Sequence, residues 1–184
     1  MKRLVFGVSV MAFSLSVTAA DDKGWRFLPG LDGDFEKAPT VSLMTGMMSP
    51  KDGDSGKILG VELSFNCPLL QPPTNKIRQQ ISYAQYDENG VKVSSIEINP
   101  HYVFEITPRL SIGGGPGFGY VSVDATGADA NMFAMQLGGS VHFNVTEMFF
   151  LGADARYQMT ENEDFGGTKG MDNWRMAMKA GISF

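Results

Sequence analysis

The sequence is poor in cysteine and in positive charge. Cys67 is the only cysteine among 184 residues, so no intrachain disulfide can form, and its thiol is interpreted as free and inert. Lysine and arginine together number 15, against 20 aspartates and glutamates. A nucleic-acid-binding protein needs a basic face that displaces counterions, so this charge balance argues against nucleic acid as a partner.

After residue 20 the sequence also lacks an apolar run of the about 20 residues that a membrane-spanning helix requires. Lipid cannot satisfy the hydrogen bonds of an exposed backbone, so a membrane is crossed either by helices or by strands closed into a barrel. If this chain enters a membrane, it must therefore do so as a closed β-barrel.

Residues 1–20 have the layout of a secretory signal peptide. Lys2 and Arg3 precede an apolar stretch from Leu4 to Val17, which is followed by small residues up to Ala20. The stretch contains serines, is too short for a spanning helix and is followed by two aspartates, which disfavours an uncleaved anchor. We therefore predict export, cleavage near Ala20 and a mature chain that forms one domain.

The dominant pattern of the mature chain is an alternation of apolar and polar residues with a period of two, which is typical of β-strands. It is clearest over 133–145, 149–159 and 173–184, and weaker over 39–48, 57–66, 76–87, 91–105 and 108–123. Most of these runs reach the about 10 residues with which a tilted strand crosses a bilayer. Their even number indicates an all-β fold, an eight-stranded antiparallel up-and-down transmembrane β-barrel over residues 39–184.

The connections are expected to alternate between short and long, as an up-and-down barrel requires. Tight turns at 105–109 and 144–147 suit the periplasmic side, and the longer or more polar segments at 49–56, 124–130 and 160–172 suit the outer side. Asn89-Gly90 indicates a further hairpin. The connection 66–75, with three prolines, is long for its predicted periplasmic side.

Two features do not fit the simple strand pattern. Pro100 and Pro116 fall inside proposed strands at outward positions, and we expect a local bulge or kink there without loss of either strand.

Residues 21–38 precede the first strand as a periplasmic or plug segment. It could fill the lumen, lie at the interface or be loosely ordered, and its scattered aromatics among glycine, proline and acids favour loose order.

Charged residues are predicted on the inward faces of the strands: Glu62, Arg78, Glu97, His101, Asp154, Arg156, Arg175 and Lys179. Side chains fill the interior of an eight-stranded barrel, so these charges are expected to pair with one another. The network could be a solid salt-bridged plug or an ion path with a gate. The narrow lumen favours the plug.

Nucleotide, metal and hydrolase sites lack their residues. Gly113, Gly115, Gly117 and Gly119 recur at every second position, which is not the spacing of a dinucleotide loop, and no Walker lysine follows. They are interpreted as a bare strand face that makes room in the lumen. His101 has only Glu97 at ligand spacing, which favours a hydrogen-bonded lumen histidine over a metal site. Ser140 lies two residues before His142 on the same inward face, but Ser111 and Ser95 have comparable claims, so no Ser–His pair is predicted. No catalytic residue, cofactor or metal is expected.

Two surface groups remain. Acids in the proposed outer loops could bind divalent cations that bridge lipopolysaccharide, although solvated loops carry such acids as well: Asp52, Asp54, Glu161, Glu163, Asp164 and Asp172. Outward aromatics could form girdles at the membrane interfaces: Tyr102, Phe143, Phe149, Tyr157, Trp174 and Phe184.

The stretch Ile98-Asn99-Pro100-His101-Tyr102, followed by Thr107-Pro108-Arg109-Leu110 and the run from Gly113 to Tyr120, resembles the small outer-membrane β-barrel family. This family includes the OmpA transmembrane domain, OmpX-like proteins and opacity-type proteins. The last strand, with Trp174, Ile182 and Phe184, is similar to the signal that the barrel-assembly machinery recognises. The resemblance implies a monomer in the outer membrane of a Gram-negative-type bacterium, in contact with its lipids and lipopolysaccharide.

The resemblance implies a structural or surface-interaction role in which loops contact lipopolysaccharide, host or environment. A narrow porin-like channel for small solutes is the alternative. A lipid A-modifying enzyme is disfavoured because the His-x-Ser of the deacylases is absent: the histidines stand in His101-Tyr102-Val103 and His142-Phe143-Asn144. A soluble periplasmic lipocalin-like binder is the fourth possibility.

Overall fold

The computed structural model describes residues 24–125, 128–165 and 168–184, so the predicted signal peptide lies outside the described residues. Eight long strands follow one another along the chain: β1 Thr40–Pro50, β2 Gly56–Asn66, β3 Lys76–Glu88, β4 Val91–Thr107, β5 Leu110–Ala125, β6 Ala128–Asn144, β7 Phe149–Thr160 and β8 Asn173–Ser183. Each pairs antiparallel with the next, and β8 also pairs with β1. The predicted closed eight-stranded barrel is confirmed.

Side chains alternate between the two faces of the wall, as the pleat of a strand dictates. Along β8, Arg175, Ala177 and Lys179 are buried, whereas Trp174, Met176 and Met178 are exposed. The register of β8 is unbroken on both sides, with Met178 opposite Thr45 on β1 and Ala153 on β7. Because pairing is continuous, one choice of face in each strand determines the face of every residue in it.

The two ends of the barrel differ. At one end, here called the terminal end, lie both ends of the described chain and the connections 67–75, 108–109 and 145–148. At the opposite end, the loop end, lie 51–55, the two-residue turn Asn89-Gly90 and the segment between β7 and β8. Asn89 and Gly90 both have positive φ angles, of 49° and 78°, which is the backbone that an Asn-Gly hairpin turn requires. None of the described residues forms a helix long and apolar enough to span a membrane.

The prolines interrupt pairing without inserting a residue. Between β4 and β5, Ile98 pairs with Phe118 and Tyr102 pairs with Gly114, so the register is the same on both sides of Pro100 and Pro116. A proline has no backbone N–H to donate, which explains the gap in the ladder between these pairs. Both strands remain continuous, as predicted, but a bulge at the prolines is wrong: the register shifts between Glu105 and Thr107 instead.

The segment before β1 is ordered, contrary to the loose order that its composition favours. Arg26–Phe27 forms a two-stranded sheet with Leu70–Gln71, and a short 3₁₀ turn follows at Pro29–Leu31. The 67–75 connection is therefore long because it supplies the partner strand for the N-terminal segment. Composition could not reveal this pairing, because the two partners are separated by the first hairpin of the barrel.

The interior has two layers. Near the loop end, apolar side chains pack into a buried cluster: Met44, Met48, Ile58, Tyr86, Val93, Val121, Val123, Ala130, Met132, Ala134, Met171 and Ala177. The middle is filled by polar and charged side chains. Polar and charged side chains therefore occupy the middle of the barrel but not the loop end, where β4, β5 and β6 turn valines, alanines and Met132 inward.

Candidate functional site

The polar middle layer is built by four strands that each turn an acid or a base inward. Glu62 lies on β2 and Glu97 on β4, while β7 contributes Asp154 and Arg156, and β8 contributes Arg175 and Lys179. Residues two or four apart on a strand share a face, so each strand that supplies two charges sets them side by side. All six are buried, with at most 6% of any residue exposed.

Arg156 is the centre of this charge network. Its Nη1 lies 3.0 Å from Glu97 Oε2, its Nη2 lies 3.0 Å from Glu62 Oε2, and its Nε lies 3.1 Å from Asp154 Oδ1. A guanidinium presents donors in a planar fork, which lets one arginine bind three carboxylates at once. Strands β2, β4 and β7 are thereby linked through the lumen by a single side chain.

Two further cations complete the network. Lys179 Nζ lies 2.9 Å from Glu62 Oε1 and 3.1 Å from Asp154 Oδ2, and Arg175 pairs with Glu97. Each of the three acids therefore meets two cations, and the positive and negative charges of the network balance. This balance is what burial demands, because a desolvated charge without a partner costs several kcal/mol, of the order of 3–5.

Neutral amides and hydroxyls add further hydrogen bonds to the network, and these residues were not predicted. Gln136 Nε2 donates to Glu97 Oε2 at 3.0 Å and to Asn99 Oδ1 at 2.6 Å, and Gln136 Oε1 accepts from Arg175 at 2.9 Å. Ser82, Ser95, Gln80 and Gln158 bond to the same arginines or acids. Their inward positions follow from the same alternation, so strand parity was the signal that could have found them.

Arg78 and the two histidines lie outside the network. Arg78 donates from Nε to Ser64 Oγ at 3.1 Å and from Nη2 to the backbone oxygen of Ala38 at 3.0 Å, so these partners are uncharged. His142 Nε2 lies 2.9 Å from Asn144 Oδ1, and its ring stacks on Phe150 with centroids 4.1 Å apart. Arg78 and His142 both line a cavity of about 200 Å³ at the terminal end of the lumen, with Lys179 beside them.

His101 pairs with Ser140, which in the sequence lies close to the other histidine, His142. Its Nδ1 lies 2.9 Å from Ser140 Oγ on β6, with the bare strand β5 between the two strands. The residue is fully buried, and its Nε2 has no hydrogen-bond partner among the described residues. A hydrolytic triad needs an acid at that second nitrogen, so this pair lacks the third member. Glu97, at ligand spacing from His101, binds Arg156 and Arg175 instead.

No cluster of three or more metal-ligating side chains occurs in the described part of the chain.

The glycine-rich strand β5 has a structural role that its contacts explain. A Cβ on Gly117 would lie 1.8 Å from Asn99 Oδ1, and one on Gly119 would lie 3.1 Å from Cγ of Glu97. The bare strand therefore makes room for the polar side chains of β4 beside it.

The outer wall is the reverse of the interior. Large apolar side chains are exposed around the barrel: Val41, Leu43, Met47, Leu59, Val61, Leu63, Ile96, Ile98, Ile112, Phe118, Met135, Leu137, Val141, Leu151, Met176 and Met178. Aromatic pairs lie near both ends of the wall, with Tyr157 against Trp174 at 4.8 Å toward the loop end and Tyr102 against Phe104 at 4.8 Å toward the terminal end. A polar, ionised middle layer under an apolar exterior inverts the arrangement of a water-soluble protein.

The sequence matches no protein-family model and no curated relative. Among solved structures it is similar to Neisserial surface protein A, at 18% identity over 79% of this chain and 96% of that one, with a TM-score of 0.54. It is also similar to Ail, the attachment invasion locus protein of Yersinia pestis, at 17% identity over 82% of this chain and all of the other, with a TM-score of 0.51. These neighbours are outer-membrane barrel proteins, and the shared fold confirms the one expected from the family resemblance.

Proposed function

We propose that the protein is an integral outer-membrane β-barrel whose lumen is closed and whose loop end carries its contacts with the surroundings. The observation that supports this most directly is the exposed apolar wall around an ion-paired interior. Exposure of an apolar surface of this extent to water is unfavourable, whereas contact with lipid hydrocarbon is favourable. The proposal includes export by the N-terminal signal and insertion as a monomer by the barrel-assembly machinery, with the terminal end in the periplasm.

The loop end fits a role in binding cations and, through them, lipopolysaccharide or other surface anions. Acids are concentrated there: Asp52, Asp54, Asp87, Glu88, Asp124, Asp129, Glu161, Glu163, Asp164 and Asp172. Several of them also hold the loops, as Asp54 Oδ2 accepts from Asn89 at 2.6 Å and Asp172 Oδ1 accepts from the backbone of Thr160 at 2.9 Å. Ail has been solved with a heparin analogue, sucrose octasulfate. Because the loop end of this chain is acidic, it would bind such an anion only through a bridging cation.

Fractionation tests the membrane location. We expect the protein to remain in the outer-membrane fraction after a carbonate wash, and to run faster on a gel before boiling than after it, because a closed barrel resists detergent unfolding. Release into the periplasmic fraction together with identical mobility before and after boiling would instead support a soluble lipocalin-like binder. Mass spectrometry of lipid A from cells with and without the gene separates this role from that of a lipid A-modifying enzyme.

A narrow channel is the second candidate, and the cavity at the terminal end beside Arg78 favours it. The lumen beyond that cavity is filled by the charge network and then by the apolar cluster. We therefore expect no steady conductance when the protein is folded into a planar bilayer. A steady conductance that disappears in Arg175→Gln would overturn the proposal of a closed barrel. It would show a channel gated through this network.

A further inference from the structure

A small ordered structure at the terminal end forms a sheet of its own, separate from the barrel sheet, and is tied to β3 by hydrogen bonds between Gln71 and Ile77. It consists of residues 25–31 and 68–71, here called the tab. Arg26 pairs with Gln71 and Phe27 with Leu70, and the backbone N–H of Leu28 donates to the oxygen of Leu69 at 2.8 Å. The tab thus joins the segment before β1 to the connection between β2 and β3.

The tab exposes large apolar side chains that its own fold does not cover. Trp25 is 46% exposed, Phe27 65%, Leu31 83% and Leu69 63%. Phe27 is paired with Leu70, so it lies on the opposite face of this two-stranded sheet from Leu69. An exposed apolar patch marks a surface that meets a partner or a membrane. A tryptophan among leucines and a phenylalanine is the composition found at the boundary between lipid and water.

The backbone of the tab includes a residue in an unfavourable conformation. Leu28 has a φ angle of 54°, in the left-handed region that a branched side chain seldom adopts. The backbone N–H of Gly30 donates to the oxygen of Pro68 at 3.0 Å, and a Cβ on Gly30 would lie 2.5 Å from Cβ of Pro68. The apolar side chains are therefore presented by an ordered backbone, which removes the entropy cost of ordering a loop on contact.

The outward side chains next to the tab indicate its height along the barrel axis. The Tyr102 hydroxyl, part of the aromatic pair on the outer wall, donates to the backbone oxygen of Thr74 at 3.0 Å and accepts from Asn75 Nδ2 at 3.3 Å. Phe65, the last outward residue of β2, precedes Pro68 by three residues. The connection that holds the tab therefore continues the outer apolar wall at the height where a girdle tyrosine places its hydroxyl.

The charges of the tab do not oppose contact with a lipid surface. Arg26 Nη2 lies 2.7 Å from Asp32 Oδ2 and 3.8 Å from Asp34 Oδ1, so one cation serves both acids that follow the tab. The exposed ion pair itself contributes little to stability, but it lowers the net charge beside the apolar side chains.

We propose that the tab is an interfacial anchor, which lays Trp25, Phe27 and Leu31 into the headgroup region of the same bilayer that holds the barrel. This inference rests on the proposed membrane location. It assigns the segment before β1 to the periplasmic leaflet, and it predicts that the barrel is fixed at that surface by the tab in addition to its girdle.

The two tryptophans allow a direct test. Trp174→Phe leaves Trp25 as the only tryptophan and Trp25→Phe leaves Trp174, so the fluorescence of each can be measured separately. The sample is the chain from residue 21 onward, folded into phosphatidylcholine vesicles. Lipids brominated near the headgroup or near the methyl end of the chain quench a neighbouring indole. We expect Trp25 to be quenched about twofold more strongly by the shallow bromines than by the deep ones, as an interfacial residue should be.

Trp174, on the barrel wall, serves as the insertion control. Quenching of Trp174 without quenching of Trp25 overturns the anchor and leaves the membrane barrel intact. Quenching of neither overturns the membrane location itself. Phe27→Asp in the Trp174→Phe background should reduce the quenching of Trp25 at least by half. In the Trp25→Phe background the same change should leave Trp174 unaltered.

Discussion

Glu97→Gln is expected to lower the free energy of unfolding by about 3–5 kcal/mol, the cost of removing one partner from a buried ion pair. Glu97 is 1% exposed and accepts from Arg156 at 3.0 Å, from Gln136 at 3.0 Å and from Arg175. Glutamine keeps the shape of the side chain, so the loss reflects charge and hydrogen bonding rather than a cavity. The network would be left with an unbalanced positive charge that water cannot reach.

Glu105→Gln is the matched control, because it makes the same chemical change in an ion pair on the surface. Glu105 Oε1 lies 3.2 Å from Lys76 Nζ, and both side chains are about half exposed, at 60% and 46%. Exposed pairs contribute about 0–1 kcal/mol. Urea unfolding of the two variants in lipid vesicles gives the comparison. Equal, small losses in both would mean that the interior of the barrel is hydrated and that the network does not close it.

Met178→Arg is expected to destabilise the folded barrel by about 2–4 kcal/mol, as a cation does when it faces the hydrocarbon near the midplane of a bilayer. Met178 is 72% exposed on the outer wall, in the middle of β8, opposite Thr45 of β1 and Ala153 of β7. A residue so exposed would tolerate arginine in water. The size of the loss therefore measures whether this surface meets lipid.

Met148→Arg controls for the substitution itself. Met148 is also more than half exposed, but it lies in the turn between β6 and β7 at the terminal end, where arginine should cost about 0–1 kcal/mol. The measurement is urea unfolding in vesicles, with the two variants side by side. A cost near zero for Met178→Arg would show that β8 does not face hydrocarbon and would undermine the proposed location.

The strands could be predicted from the sequence because burial and exposure alternate with the pleat. The two faces of β8, Arg175 and Lys179 against Trp174 and Met178, can be read directly from the order of residues 173–184. The same reading places Glu62, Glu97, Asp154 and Arg156 inside. It fails at the loop end, where inward residues such as Val121, Val123 and Met132 are as apolar as the outward ones. Alternation cannot assign a face where both faces carry the same chemistry.

The candidate site was less accessible to sequence reasoning. Inward acids and bases could be named, but the pairing of Lys179 with Glu62, residues 117 positions apart, depends on closure of the barrel between β8 and β1. The partner of His101 was missed because Ser140 lies on β6, and β4 and β6 are brought together only by their common pairing with β5. The tab was missed because its two strands lie on either side of the first hairpin.

The order of residues by itself determined that this chain forms strands, how many form the barrel and which charged side chains turn inward, because a strand can present a residue to only two faces. Only the tertiary structure decided which inward charges meet, that the loop end is sealed by apolar side chains and that the segment before β1 is tied to the 67–75 connection. These are contacts between residues distant in sequence, and they exist only when strand register and closure have brought the strands around one lumen.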